Sequence, residues 1–360
     1  MPLDDLRIIS ARPTIRLGGQ DLPLLTANIT RLRMREALGG LSTLELAVVD
    51  ILSHPDGRAG YGATRESPIR LGAEVKVYMG EVSGPREIFD GHITALEAEV
   101  GPAAAPTFTL LAEDRLFKAR KTRRTRTFEE MSPADLVRTI AGDHGLTPEI
   151  RDGLDAPTGI WVQMNESDLA FLRRILDRFD ADLQVVAGAL QAGPCARDPR
   201  TSVTLSYGGN LIRARLTADL ADQATEVRVG GFDPATGEAV NATATTGEKG
   251  PGQGQEGPAL LRETFQEHRE HVGHQGPLTA SEGEKVAKAV YGRRARRFVR
   301  VDASAQGDAA IRVGSHVAID GINPFFVNTY VVTEATHRFD LANGYITDFL
   351  AEGAFLGEGA

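Results

Sequence analysis

The sequence predicts a β-rich α+β chain in which two blocks of short strands flank a small α+β middle. Three observations carry this. Apolar and polar residues alternate at period two through residues 6–116 and again after residue 201. Between 117 and 200 the period becomes helical, with two well-marked helix starts. Glycine and proline turns punctuate both β blocks at short intervals.

In the first block, residues 1–116, Thr14-Ile15-Arg16-Leu17 stops at Gly18-Gly19, a hairpin signal. Leu41 to Val49, Val75 to Met79, Ile88 to Ile93 and Phe108 to Ala112 read as further strands of an antiparallel barrel or sandwich. The turn-rich stretch from Ser53 to Pro68 reads as an exposed loop. In the middle block, 117–200, Ser132-Pro133-Ala134-Asp135 supplies an N-cap, a proline at the first helical position and an acid in the first turn. Leu136, Val137, Ile140 and Ala141 share a face, and Gly145 is the stop. A second helix is expected from Asn165-Glu166-Ser167-Asp168, with Leu169, Leu172, Ile175, Leu176 and Phe179 as its apolar stripe. Glu166 and Asp168 fall at its positive end, and Arg173, Arg174 and Arg178 toward its negative end. Leu183 to Val186 follows as a strand.

The second β block comprises 201–232 and 298–350. Val203 to Leu205, Leu211 to Leu216 and Thr225 to Val229 are its first strands, the last ending at Gly230-Gly231. Val313 to Ile319, Tyr330 to Ala335 and Tyr345 to Leu350 complete it. The insertion 233–297 holds a helix over about 280–296, starting at Thr279 or Ser281, and the run Gly250 to Gly257, which is too poor in apolar residues to order itself and reads as a mobile loop. Residues 351–360 read as a C-terminal tail.

Of the 360 residues 41% are hydrophobic and 25% charged, which is ordinary globular composition. A net charge of −9 argues against general nucleic-acid binding. Cys195, the single cysteine, cannot form an intrachain disulfide and reads as an inert thiol. Met1-Pro2-Leu3-Asp4-Asp5 is no signal peptide, and no apolar run reaches the roughly 18 residues of a membrane helix, so no membrane insertion is expected. No phosphate loop, nucleophile elbow, zincin helix or dinucleotide fingerprint is present, so neither catalysis nor a cofactor is expected. His268, His271 and His274 come nearest to a metal cluster. On a helix His268 and His271 would share a face with Glu267 or Glu263, but Arg269 beside them favours a solvated helix end. Two basic strips stand at block boundaries, one holding Arg120, Arg123, Arg124 and Arg126, the other Arg293, Arg294, Arg296 and Arg297. Lacking interleaved aromatics, they read as junction or subunit contacts rather than a sequence-specific nucleic-acid surface.

Three patterns resemble the late control protein D family of phage tail hubs, with the T4-type baseplate hub and the N-terminal part of VgrG spike proteins as relatives. The first runs from Arg123 through Ser132-Pro133-Ala134-Asp135 to His144-Gly145-Leu146. The second is Val162 to Ile175, holding Glu166, Asp168, Phe171, Leu172 and Arg174. The third is the closing hairpin with His337 and Tyr345. Asp180 departs from the pattern, where relatives often carry Gly. The resemblance implies two tube-type antiparallel β-barrel domains per chain around the α+β middle, assembled as a homotrimer with a pseudo-six-fold ring. Such a ring joins a six-fold tail tube, or its initiator, to a three-fold spike inside a baseplate of wedge proteins. Because the chain stops at Ala360, the spike is expected to be a separate polypeptide. The implied place is a virion tail baseplate or contractile injection particle, assembled after synthesis in the bacterial cytoplasm. The competing expectations are a tail-associated peptidoglycan hydrolase, for which no carboxylate pair stands out, and a β-barrel carbohydrate-binding adhesin, for which one Trp is few.

Overall fold

Alternating side chains let a strand bury one face and solvate the other, and this period builds most of the molecule. The computed structural model describes residues 9–53, 59–61, 68–81, 84–102, 104–273, 276 and 278–357. The chain opens with the hairpin β1 (Ile9–Leu17) and β2 (Gln20–Asp21), the short helix α1 (Pro23–Ala27), β3 (Ile29–Ala37) and β4 (Thr43–Val49). The small hairpin β5 (Ile51–Ser53) and β6 (Ala59–Tyr61) follows, with 54–58 and 62–67 of the expected loop outside the described residues. Next come β7 (Glu74–Glu81), β8 (Arg86–Gly101) and β9 (Ala104–Asp114).

The middle of the chain contains α2 (Phe117–Lys121), β10 (Arg123–Met131), α3 (Pro133–Asp143), β11 (Thr147–Ile150), β12 (Gly159–Ser167), α4 (Asp168–Arg178), β13 (Ala181–Val186) and β14 (Ala189–Pro194). Ser132 caps α3, as the sequence predicts, and with Asp135 it forms a reciprocal capping box. For α4 the cap is Ser167, and Glu166 lies within strand β12 instead of opening the helix. This part has its own core, where Phe128 stacks on Phe171 at 5.3 Å.

The last part holds β15 (Ser202–Ser206), β16 (Leu211–Ala218), β17 (Glu226–Asp233), β18 (Glu238–Ala244), β19 (Gln255–Glu256), α5 (Gly257–Phe265), β20 (Arg269–Val272), α6 (Ala280–Arg296), β21 (Val299–Gln306), β22 (His316–Asp320), β23 (Asn328–Asp340), β24 (Gly344–Gly353) and β25 (Phe355–Leu356). Strand β17 runs through Gly230-Gly231, which pair with Asn241 and Val240. Thr279 caps α6.

The two β blocks join in one sheet. Its strands run β16-β21-β24-β23-β3-β4-β9-β8-β7-β1-β2, so β23 near the end of the chain pairs with β3 near its start. Two apolar cores lie on one face of this sheet. One is built on Leu32, Met34, Leu46 and Val77, the other on Val301, Tyr330, Val332 and Phe349. The long β23–β24 hairpin serves both, giving Phe339 and Tyr345 to the first and Ala335 and Phe349 to the second. No helix of the described residues is long and apolar enough to cross a membrane.

The glycine-rich run differs from its expectation, because its lack of apolar side chains is what lets it lie flat on other elements. Gln255 and Glu256 pair with Leu356 and Phe355, so residues beyond 350 belong to the fold as well. At Gly254 φ is +121°, and a Cβ there would overlap the Leu356 carbonyl. Gly254→Ala is therefore expected to lower stability by about 2 kcal/mol or more. An unchanged urea midpoint would mean that the run does not rest on β25.

Candidate functional site: a charged junction and two open sheet edges

The strip at the start of β10 is spent inside the chain. Strands β10 and β12 pair so that Arg126 faces Gln163. Arg126 also bonds Asp143 at 2.8 Å and the buried Asp168 at 2.7 Å. Arg124 reaches Asp143 at 3.2 Å, Arg123 donates to the Asn165 carbonyl, and Arg120 binds Glu113 at 2.6 Å. Asp168 further accepts from Gln163 at 2.9 Å and lies 2.9 Å from His144 Nε2. Burial alone would push its carboxyl up, but the hydrogen bonds from Gln163 and His144 and the charges of Arg126 and Arg124 hold it below the usual carboxylate value. Arg174 closes the motif on Glu166 at 2.5 Å, while Phe171 and Leu172 are core.

The second strip ties α6 to its surroundings. Arg296 is buried and contacts Asp180 at 2.7 Å, Glu352 at 2.9 Å and the Glu248 carbonyl at 2.8 Å. Burial disfavours its charge, yet the two carboxylates raise its pKa above the ordinary arginine value. Asp180 has φ +54°, a backbone state natural to glycine, and its side chain supplies the Arg296 pair that glycine could not. Arg293 pairs with Asp177 at 2.9 Å and Arg294 with Glu270 at 2.7 Å. Arg297 is exposed beside them on a cleft of about 740 Å³ that also takes in Leu38, Arg173 and Glu352.

His337 and Tyr345 sit where the two cores meet. His337 Nδ1 and the Tyr345 hydroxyl are hydrogen-bonded at 2.9 Å. Burial, with Arg312 nearby, pushes the imidazole down to about 3, so it is neutral. Beside them Glu36 of β3 takes Arg312 at 2.5 and 2.8 Å and the Val313 amide at 2.7 Å. Burial would raise the Glu36 carboxyl, but Arg312 keeps it lowered and ionised. Arg126, Asp168, Phe171 and Leu172 thus hold the middle part together, and His337 and Tyr345 lie at the joint between halves.

The helix end expected around the histidines is a strand instead. Arg269–Val272 is strand β20, paired with β17, so helical spacing does not apply, and His274 lies outside the described residues. No group of three metal-ligating side chains gathers among the described residues.

Two strand edges are features that the sequence did not single out. Strand β8 is paired with β7 from Arg86 to His92, and Ile93 bonds the Ala73 carbonyl. From Thr94 to Gly101 no described strand lies on that side, and Glu97, Ala98, Glu99 and Val100 are exposed. Among the described residues, strand β16 pairs only with β21 along Arg213 to Ala218, and it exposes Ile212, Arg213, Arg215 and Thr217. Alternation hints at both strands, but which sides are left open depends on pairing partners far away in sequence.

Asp168 provides a pH test. Its folded pKa is depressed, so its contribution is complete above the unfolded value of about 3.9 and is lost as pH falls through the folded value. Asp168→Asn should therefore lower the urea midpoint clearly at pH 7, with the gap to the parent shrinking toward pH 3. A pH-independent gap would contradict the ion-pair account.

The fold is that of tail proteins. The 43 kDa tail protein of prophage MuSo2 from Shewanella oneidensis superposes with a TM-score of 0.66 at 12% identity, covering 94% of this chain and 97% of that one. A tail protein from Neisseria meningitidis MC58 gives 0.67 at 11% identity, with 95% and 96% covered. An E. coli component of the type VI secretion system gives 0.62 at 11%, with 96% and 79% covered. At such identities the likeness concerns the fold alone. None of the curated proteins compared with the chain matches it in sequence. By sequence the chain belongs to the family described as the Alg8 N-terminal domain, whose model matches residues 11–340.

Proposed function

We propose that the chain is the structural hub of a contractile tail or tail-like injection particle, a homotrimer that joins a six-fold tail tube to a three-fold spike. One observation carries the reading. Eight successive strands of the large sheet alternate in direction, four from the first half (β8, β9, β4, β3) and four from the last (β23, β24, β21, β16). The first set faces one core and the last set the other, with the β23–β24 hairpin contributing to both. Three such chains around an axis present six comparable four-strand units while keeping only three-fold symmetry. A surface of that kind can seat a six-fold ring on one side and a three-fold spike on the other.

The likeness in fold to phage tail proteins and to a type VI secretion component supports this reading. So do the three motifs that resemble the late control protein D family. The family description itself names no tail component, so the reading rests on fold and geometry.

In this role the chain cleaves nothing. Its work is mechanical: it forms a collar, transmits tube movement to the spike, and contacts wedge proteins at its rim. Subunit contacts of such a collar are large and permanent. The face turned away from the two cores carries cross-strand ion pairs, Arg31 with Glu45, Arg35 with Glu334 and Arg338 with Asp348. Charges paired in this way suit the wall of a passage, because they leave little net field to hold a moving cargo.

The purified protein should have a solution mass of three 38.6 kDa chains and show ring-shaped particles with a central channel in electron micrographs. A single-chain mass at all accessible concentrations would overturn the proposal.

A further inference from the structure

We infer that the open edge of β8, residues 94–101, forms an antiparallel pair with the open edge of β16, residues 211–218, of a second copy of this chain. The inference rests on the trimeric reading above and specifies which residues join the copies.

Direction is the first argument. Eight alternating strands is an even number, so β8 and β16, at the two ends of the series, run in opposite senses. A neighbour related by rotation then offers its β16 antiparallel to β8, and the alternation continues across the boundary. An odd number would have forced a parallel seam.

Stagger is the second. The line of facing residues that starts at Leu211 passes through Ala305, Thr347, His337, Met34 and Leu44 and arrives, beyond Ala112, at Ile93. Strand β16 extends to one side of that line and the open part of β8 to the other. Bringing the two edges level requires a shift of about eight residues per copy, which is a shear of about 24 over the 24 strands of three copies. With strand spacings of about 4.8 Å and rises of about 3.3 Å, this shear corresponds to a tilt of about 35°, within the range of closed barrels.

Side chains are the third. With Thr94 opposite Ala218 and Gly101 opposite Leu211, the eight-residue edges overlap along their whole length. Glu97 then faces Arg215, and Glu99 faces Arg213. All four side chains are exposed on the sheet face turned away from the cores, and no acid–base contact within the described residues occupies Glu97, Glu99 or Arg215, while Arg213 touches Asp302 at 3.1 Å. On the core side the half-buried Leu96 meets the half-buried Leu216. Val100 and Ile212, 69% and 49% exposed in the single chain, come opposite one another. Shifting the register by one residue would place each acid beside an apolar neighbour and lose both matches.

Charge reversal tests the pairing. Glu97→Arg with Glu99→Arg should raise the trimer dissociation constant at least tenfold, as should Arg213→Glu with Arg215→Glu, and the fourfold variant should return it close to the parent value. A trimer indifferent to both double reversals would overturn the pairing while leaving the hub reading intact. A parent protein that never exceeds one chain in mass would overturn both. As a check independent of charge, Val100→Cys with Ile212→Cys should give covalently linked oligomers under mild oxidation, Cys195 being buried and so no competitor. Absence of such links in a folded trimer would count against the register.

Discussion

The pairing of β3 with β23 is the constraint on which the rest depends. Seven facing pairs, from Ala37 with Glu334 to Arg31 with Asp340, bind the start of the chain to its end across some three hundred residues. Without it the molecule would hold two separate sheets, each with one more edge to protect. With it one alternating series is formed, and the buried Glu36–Arg312 pair sits at the seam. An ion pair this deep is weak evidence for added stability, since desolvation offsets much of its attraction. Its geometric demand is strong, because either group left alone would be a buried charge. That demand fixes the loop before β22 against β3 and so sets the two cores in register.

Much of this architecture was legible in local pattern. The strands around Ile15, Leu46, Val77, Ile93 and Leu110 follow from alternation, and the cap Ser132 follows from side-chain chemistry, while for α6 that chemistry leaves Thr279 and Ser281 both open and the structure selects Thr279. What local pattern cannot show is partnership. Ile29–Ala37 alternates Leu32 and Met34 with Arg31, Arg33 and Arg35, but nothing near it names β23 as its neighbour. The glycine-rich run was misread because composition tells whether a segment can build a core, not whether it can rest on another's. The histidines near residue 270 were misread for a related reason: a three-residue offset means proximity only on a helix, and the chain there is a strand. Asp180 interrupts the family-like pattern, yet its side chain fills a need that glycine leaves unmet, by neutralising Arg296.

The candidate site was legible to a different degree. Basic strips stand out in sequence because they are dense, and density of one sign usually calls for partners. Seven of the eight arginines singled out, Arg120, Arg123, Arg124, Arg126, Arg293, Arg294 and Arg296, find theirs within the chain. The features that point outward are quieter: two acids, two arginines and two apolar residues on strand edges that are unremarkable until the sheet order is known. An unpaired edge is a standing invitation to association, and natural sheets blunt or satisfy it. Here the two edges match each other in direction, length and charge, and copies of the same chain can satisfy both at once.

Backbone hydrogen exchange reads those edges directly. In the assembled protein the amides of residues 94–101 and 211–218 that face away from β9 and β21 should exchange slowly, and should become fast when dilution separates the chains. Exchange in the assembly as rapid as in the separated chain, over both segments, would contradict the closed sheet on which this account is built.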